Sequence, residues 1–203
     1  LDEAKNLAAI LESGSLPVAL SFSEARVVGP TLGVESLSKG VYAAFAGLAV
    51  VAVGFVAFYR GLGIVAVGAM TILSILYLGV LAVLSHYGAF ALTLPGVAGI
   101  VLTIGLAADS SILVLERVRE EVAMGRSIKA ASLTGVRHGI QTSIDADLVT
   151  LVSAFALFFI AIGPVKGFGL TLIIGILLDI VVMLLFKAPA IRLLAERAIP
   201  ADP

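Results

Sequence analysis

Residues 61–108 read GLGIVAVGAMTILSILYLGVLAVLSHYGAFALTLPGVAGIVLTIGLAA, 48 positions between Arg60 and Asp109 without one Asp, Glu, Lys or Arg. A helix crossing a bilayer needs about 20 apolar residues. The stretch is too long for one such helix and suits two with a joint. The joint is SHYGAFALTLPG, Ser85 to Gly96, because Pro-Gly breaks a helix and Pro suits the first turn of the next one. One span is therefore predicted at 62–84 and another at 95–115, the second enclosing Asp109.

The same reading extends in both directions. Gly40 to Tyr59 is a 20-residue uncharged run between Lys39 and Arg60, giving a span at 40–59. Beyond the connector lie a span at 140–162, a tight turn Gly163-Pro164-Val165-Lys166-Gly167, and a span at 168–186 that carries Asp179. Lys187, Pro189, Arg192 and Arg197 close it. The predicted fold class is an all-α membrane protein, a polytopic bundle of five transmembrane helices. Composition agrees: 60% of the residues are hydrophobic and 13% charged, about half the roughly 25% charge of a soluble domain. That excludes a soluble globular domain and a disordered chain.

Residues 116–138 differ. Glu116, Arg117, Arg119, Glu120, Glu121, Arg126, Lys129 and Arg137 alternate with Val118, Val122, Ile128, Ala131 and Leu133 near helical spacing. This predicts a cytoplasmic amphipathic connector on the membrane surface, broken near Gly125. Basic residues favour the cytoplasmic side. With the N-terminal segment outside, Arg60, Arg117, Arg119, Arg126, Lys129, Arg137, Lys187, Arg192 and Arg197 fall inside, and only Lys166 lies in an outer loop. The C-terminus is then cytoplasmic. Residues 1–38 are polar, with amphipathic character in Leu1 to Leu11 and a strand-like Leu16 to Phe22. They are expected to be the C-terminal remnant of an extracytoplasmic domain whose remainder, with an upstream span, is missing.

Several chemistries are excluded. Without cysteine there is no disulfide, thiolate metal site or Cys nucleophile, and His86 and His138 lack metal-ligand spacing. The net charge of −1, with no long basic run, argues against a nucleic-acid partner. The glycines form no phosphate-binding motif, and no Ser-His-Asp arrangement is placed. The expectation is a protein that is not an enzyme and has no cofactor, metal or catalytic residue. Gly135 and Gly139 form a GxxxG that straddles the surface segment, weak grounds for helix dimerisation.

Acids inside a span are costly, about 2.5–3.5 kcal/mol at the centre on insertion scales, and mark function by default. Asp109 lies deep in its span. Gly105 is one turn earlier on the same face, and Gly99, Thr103 and Ala107 form a small-residue row nearby of the kind that lets helices approach. Asp109 is thus expected to face another helix, as a protonation site that switches packing or as a neutral acid bonded to a neighbouring Ser or Thr. No Lys or Arg falls within the five spans, so its charge partner is expected from another polypeptide or another part of the protein. Asp145 and Asp147 sit near the cytoplasmic end of their span, where His138, Gln141, Thr142 and Asp145 share a face, either as a wet polar access to the bundle or as a solvated helix end. Asp179 lies mid-span, one turn after Gly175, as a proton carrier or a neutral hydrogen-bonded carboxyl.

The run Leu94 to Asp109 (LPGVAGIVLTIGLAAD) followed by Val114 to Glu121 (VLERVREE) resembles the fourth transmembrane helix of the SecD half of the SecD/SecF protein-export family, within the resistance-nodulation-division superfamily. Val28 to Gly33 (VGPTLG), Ser143 to Leu148 (SIDADL) and Gly163 to Phe168 (GPVKGF) are similar to further segments of that family. The resemblance implies that the five spans are helices two to six of that half. It implies partners in a SecF half or subunit, the SecYEG channel, a translocating polypeptide and the lipid bilayer. It implies use of the proton-motive force to assist export across a bacterial or archaeal cytoplasmic membrane. Asp109 falls on the family's intramembrane Asp implicated in proton passage, whose Asp and Arg counterparts belong to SecF, and Asp145 falls on a second recurrent Asp. The pattern departs at three places. Asp109-Ser110-Ser111 stands for Asp-Ala-Asn, so that Ser111 replaces the Asn. Asp145-Ala146-Asp147 also stands for Asp-Ala-Asn, adding an acid. Asp179 stands where a small residue is common. The proton-relay candidates are Asp109, Asp145, Asp147 and Asp179, with Gly105, Gly99, Thr103 and Ser111 packing near them. The alternatives are a proton-coupled exporter of lipids or small molecules and a non-conducting membrane scaffold.

Overall fold

The structure, a computed structural model, describes Lys5 and residues 30–88 and 92–198. The expectations for Leu1 to Leu11 and Leu16 to Phe22, and most of the proposed domain remnant, lie outside the described residues. Among those residues every regular element is helical: α1 (Pro30–His86), α2 (Leu94–Ala123), α3 (Ile128–Ile160), α4 (Pro164–Val182), a π-helical turn (Met183–Lys187) and α5 (Ala188–Ala198). Four helical stretches are long and apolar enough to cross a membrane: Ser38–His86, Leu94–Ala123, Ile128–Ile160 and Pro164–Ala195.

α1 is interrupted at Arg60, whose φ of 49° and ψ of −121° are not helical. Residues 55 and 63 would lie about 12 Å apart along a straight helix. Here the Cα of Gly63 sits against the backbone of Phe55, where a Cβ would collide with the Phe55 carbonyl. The chain therefore doubles back, and α1 is two antiparallel arms, 30–59 and 61–86. The first arm runs parallel to α2: a Cβ on Gly40 would touch Val97 (3.2 Å), and the Tyr59 hydroxyl donates to Glu116 Oε1 at 2.7 Å. Phe55, Leu62, Val65, Ala66 and Met70 join Val114, Leu115, Val118, Val136, Ile140, Met183 and Ile191 in the largest apolar cluster.

The joint before α2 follows the sequence. Thr93 caps the helix by accepting from Gly96 N at 3.1 Å, and Pro95 occupies its first turn. Thr93 also donates to the Pro164 carbonyl at 3.2 Å, tying the start of α2 to the start of α4. The predicted turn at 163–167 is shorter than expected, since α4 starts at Pro164.

The connector differs from expectation. Residues 116–138 are not separate helices; they are the end of α2 and the start of α3, joined in a hairpin. α2 ends with Gly125 at φ 84°, where Gly125 N reaches Val122 O (2.9 Å) and Arg126 N reaches Glu121 O (3.3 Å). This is the left-handed cap that favours glycine. Gly135 and Gly139 hold the hairpin together. A Cβ on either would lie 2.7 Å from a backbone Cα of α2, Val118 and Val114 respectively. The GxxxG is thus an internal helix crossing. Sequence alone conceals this, because the charges around it mark a surface segment.

The last predicted span, 168–186, also ends too early. The π-helical turn passes straight into α5. Pro189 has no N–H and its ring crowds the carbonyl four residues back; a widened turn immediately before it relieves both.

Candidate functional site

α2 has two unlike faces. Gly99, Thr103, Ala107 and Ser110 point into the bundle and pack on α4. A Cβ on Gly99 would collide with Thr171 Oγ1, and one on Gly175 with the Thr103 side chain. The small-residue row therefore serves α2–α4 contact. It does not lie beside Asp109, contrary to expectation. Thr103 turns its hydroxyl onto the Gly99 carbonyl at 2.9 Å, and Tyr77, fully buried, donates to the Thr171 carbonyl at 2.7 Å.

The row leads to a buried polar cluster. Asp179 is 3% exposed and Lys187 2%. Ser110 Oγ donates to Asp179 Oδ2 at 3.0 Å or to the Ala107 carbonyl at 3.0 Å, and accepts from Lys187 Nζ at 3.0 Å. Lys187 Nζ also reaches the Ala107 carbonyl (3.5 Å) and lies 3.7 Å from Asp179 Oδ1. Asp147 of α3 is 7% exposed. A Cβ on Gly169 of α4 would lie 2.9 Å from Phe158 N and 3.2 Å from the Ala154 carbonyl of α3, and continuing that antiparallel register sets Asp147 level with Asp179 between the two packed helices. Among the described residues Asp147 Oδ2 has no hydrogen-bond partner, and neither has the buried Ser143 Oγ one turn before it. Ser111, also buried, donates to the Ala107 carbonyl at 2.7 Å.

Lys187 is thus a basic residue inside the bundle, contrary to the expectation that the spans contain none. Sequence spacing conceals it. Eight residues separate it from Asp179, which a regular helix rotates about 80° out of line. The extra residue of the π turn takes back about 100°, leaving Lys187 near the position of an i+7 residue, on the Asp179 face.

Asp109 and Asp145 lie elsewhere. Both are exposed, and so is Gly105, around which a Cβ would meet nothing within 4 Å. Val101, Leu102, Gly105, Asp109 and Ile112 form an open stripe along α2. The backbone contacts Val118–Gly135 and Val114–Gly139 run antiparallel, and continuing that register sets Asp109 level with Ile144 and Asp145. The described chain supplies Asp109 with no charge partner.

At the opposite end from Thr93, Glu121 is 5% exposed, 3.0 Å from Arg126 and 3.6 Å from His138 Nδ1. Arg119 stacks over the Tyr59 ring at 5.7 Å. His138 thus faces a carboxylate rather than the bilayer alone. No group of His, Asp and Glu among the described residues could hold a metal ion.

Comparison with known proteins agrees with the geometry. Residues 13–197 match the family model described as protein export membrane protein SecD/SecF, C-terminal. The chain is 41% identical over 180 residues to the protein translocase subunit SecD of Calditerrivibrio nitroreducens, covering 89% of this chain and 34% of that one. It is 43% identical over 177 residues to the SecD subunit of Desulfurispirillum indicum, covering 87% and 34%. The crystal structure of SecDF, a translocon-associated membrane protein from Thermus thermophilus, superposes with a TM-score of 0.80 at 38% identity, over 100% of this chain and 28% of that one. A SecDF structure in a super-membrane-facing form gives 0.74 at 37% identity, over 100% and 27%. The chain spans about a third of the length of these curated relatives.

Proposed function

We infer what the chain does from where it belongs: it is a member of the SecD/SecF family of protein export membrane proteins. This region is the membrane-embedded part of a multi-pass subunit associated with the Sec translocon. It uses the proton-motive force to assist export of unfolded polypeptides through SecYEG, alongside a SecF half or subunit, and catalyses no chemical reaction of its own. The energy suffices for a modest mechanical step, since one charge crossing 100 mV releases about 2.3 kcal/mol.

The observation that carries this reading is the open stripe on α2. An acid at membrane depth, next to a glycine and uncovered by its own chain, fits an interface with another bundle. Asp145 at the same level on α3 extends that face. The reversal at Arg60 supports five crossings, because the two arms of α1 are each long enough for one. The end holding Arg60, Arg117, Arg119, Arg126, Lys129, Arg137 and Arg192 then lies in the cytoplasm, with the N-terminal side outside. Lys187 drops out of that count because it is buried, and the asymmetry survives.

The test is Asp109→Asn in the complete protein with its partner half. Export of a secreted reporter is followed at equal membrane abundance, with and without a proton gradient. Export is expected to fall to the level seen without the subunit, with no residual benefit from the gradient. Unchanged export and gradient dependence would remove Asp109 from the coupling.

A further inference from the structure

The buried cluster contains two acids and one base, Asp147, Asp179 and Lys187, each more than nine-tenths buried. With all three ionised it carries one net negative charge among apolar helices, a costly state. No second cation among the described residues faces it. α2 contributes Ser110 and Ser111, and Asp109 is on the opposite side of that helix. The second arm of α1 has no Asp, Glu, Lys or Arg after residue 60, and its Tyr77 hydroxyl is committed to the Thr171 carbonyl. Arg192 of α5 is exposed.

The two acids are not equivalent. Asp179 has a hydroxyl donor on one oxygen and the Lys187 ammonium beside the other. Among the described residues Asp147 Oδ2 has neither, and on the same face of α3 the Ser143 hydroxyl is buried without a partner. We propose that Asp147 is a proton-binding site contained wholly within this chain, with the Lys187–Ser110–Asp179 cluster as its fixed, charge-balanced wall. The ligand is a proton: one O–H bond forms on the Asp147 carboxylate when it binds, and the same bond breaks on release to water. The site lies on a different face of the bundle from the exposed Asp109. This rests on the reading that the helices cross a membrane and that protons drive the work.

The test reads protonation directly and does not depend on export. The complete protein with its partner half is placed in lipid vesicles, with aspartate carboxyls carbon-13 labelled. Infrared difference spectra are recorded across pH for the carbonyl stretch of protonated Asp. One label-sensitive band is expected that is lost in Asp147→Asn and kept in Asp109→Asn. Asp179→Asn is expected to abolish it although Asp147 is intact, because Asp147 then balances Lys187. Lys187→Gln is expected to raise it about twofold, because neither acid retains a cation. A band indifferent to Asp147→Asn, or one present only when sodium and potassium are withheld, overturns the proposal. If Asp147→Asn fails to accumulate, Lys187→Gln decides: a doubled band supports the site and an unchanged one sinks it. A failure of Asp109→Asn to affect export would leave these spectra as expected, so the two readings fail separately.

Discussion

The inner and outer faces of α2 are made of similar residues and are put to opposite uses. Inside, Gly99, Thr103, Ala107 and Ser110 admit α4 so closely that added methyl groups would collide, and the polar atoms that result are closed off by Asp179 and Lys187. Outside, Gly105 and Asp109 repeat the small-then-acid pattern but stay exposed, with Gly105 on a groove bordered by Ala44, Gly47, Leu48 and Val51 of the first arm of α1 and a Cβ there meeting nothing within 4 Å. The same pattern is a finished contact where the chain supplies the partner and an unfinished one where it does not. A small-residue stripe therefore reports that a helix face is meant to be covered, but not by what.

The comparison breaks most sharply at Lys187. Lys187→Met leaves Asp179 without its cation, and breaking one side of a buried pair costs about 3–5 kcal/mol. Unfolding of the complete protein in detergent should show a loss of that order at neutral pH. Adding Asp179→Leu to Lys187→Met should restore most of the stability, since well-packed apolar residues can replace a buried pair at little cost. No recovery would mean that the pair does more than neutralise charge.

Glycines give the next contrast. Gly135→Ala puts a methyl 2.7 Å from the Val118 backbone, which cannot rotate away, and overpacking of this kind costs about 1–3 kcal/mol. Gly105→Ala meets nothing within 4 Å and should leave the stability of this region within about 0.5 kcal/mol, while a bulkier Gly105→Leu should weaken co-purification of the partner half. Equal stability losses at both glycines would mean that the Gly105 face is covered by this chain's own residues.

Tyr59→Phe removes one hydrogen bond at 2.7 Å to a half-buried Glu116 and should cost about 1 kcal/mol, seen as a small shift in the same unfolding curve. Smallest of all on this scale is Asp109→Asn. It should change stability by less than about 0.5 kcal/mol while abolishing gradient-dependent export, so that the outer face is measured by function and the inner one by folding.

Much of the architecture is legible in the order of the residues. Charge gaps locate the apolar helices because an unpaired charge in lipid is prohibitive, and Thr93, Pro95 and Gly125 act locally, so their capping roles can be read from a few neighbours. The connector at 116–138 does not yield to the same reading, because alternating charge at helical spacing looks the same whether a helix lies on a membrane or projects from it. Grouping Gly99, Thr103 and Ala107 with Asp109 fails for a related reason. The row and the acid share a helix but differ in rotation, and only contact with α4 shows which side is which.

The sequence by itself determined that this chain is a bundle of apolar helices with acids inside it, because hydrophobicity, capping and charge cost act over a few residues. Tertiary structure alone decided which acids are sealed and which are open. That depends on rotation and neighbours: a π turn before Pro189 swings Lys187 inward to Asp179, and the absence of a covering helix among the described residues leaves Asp109 outside.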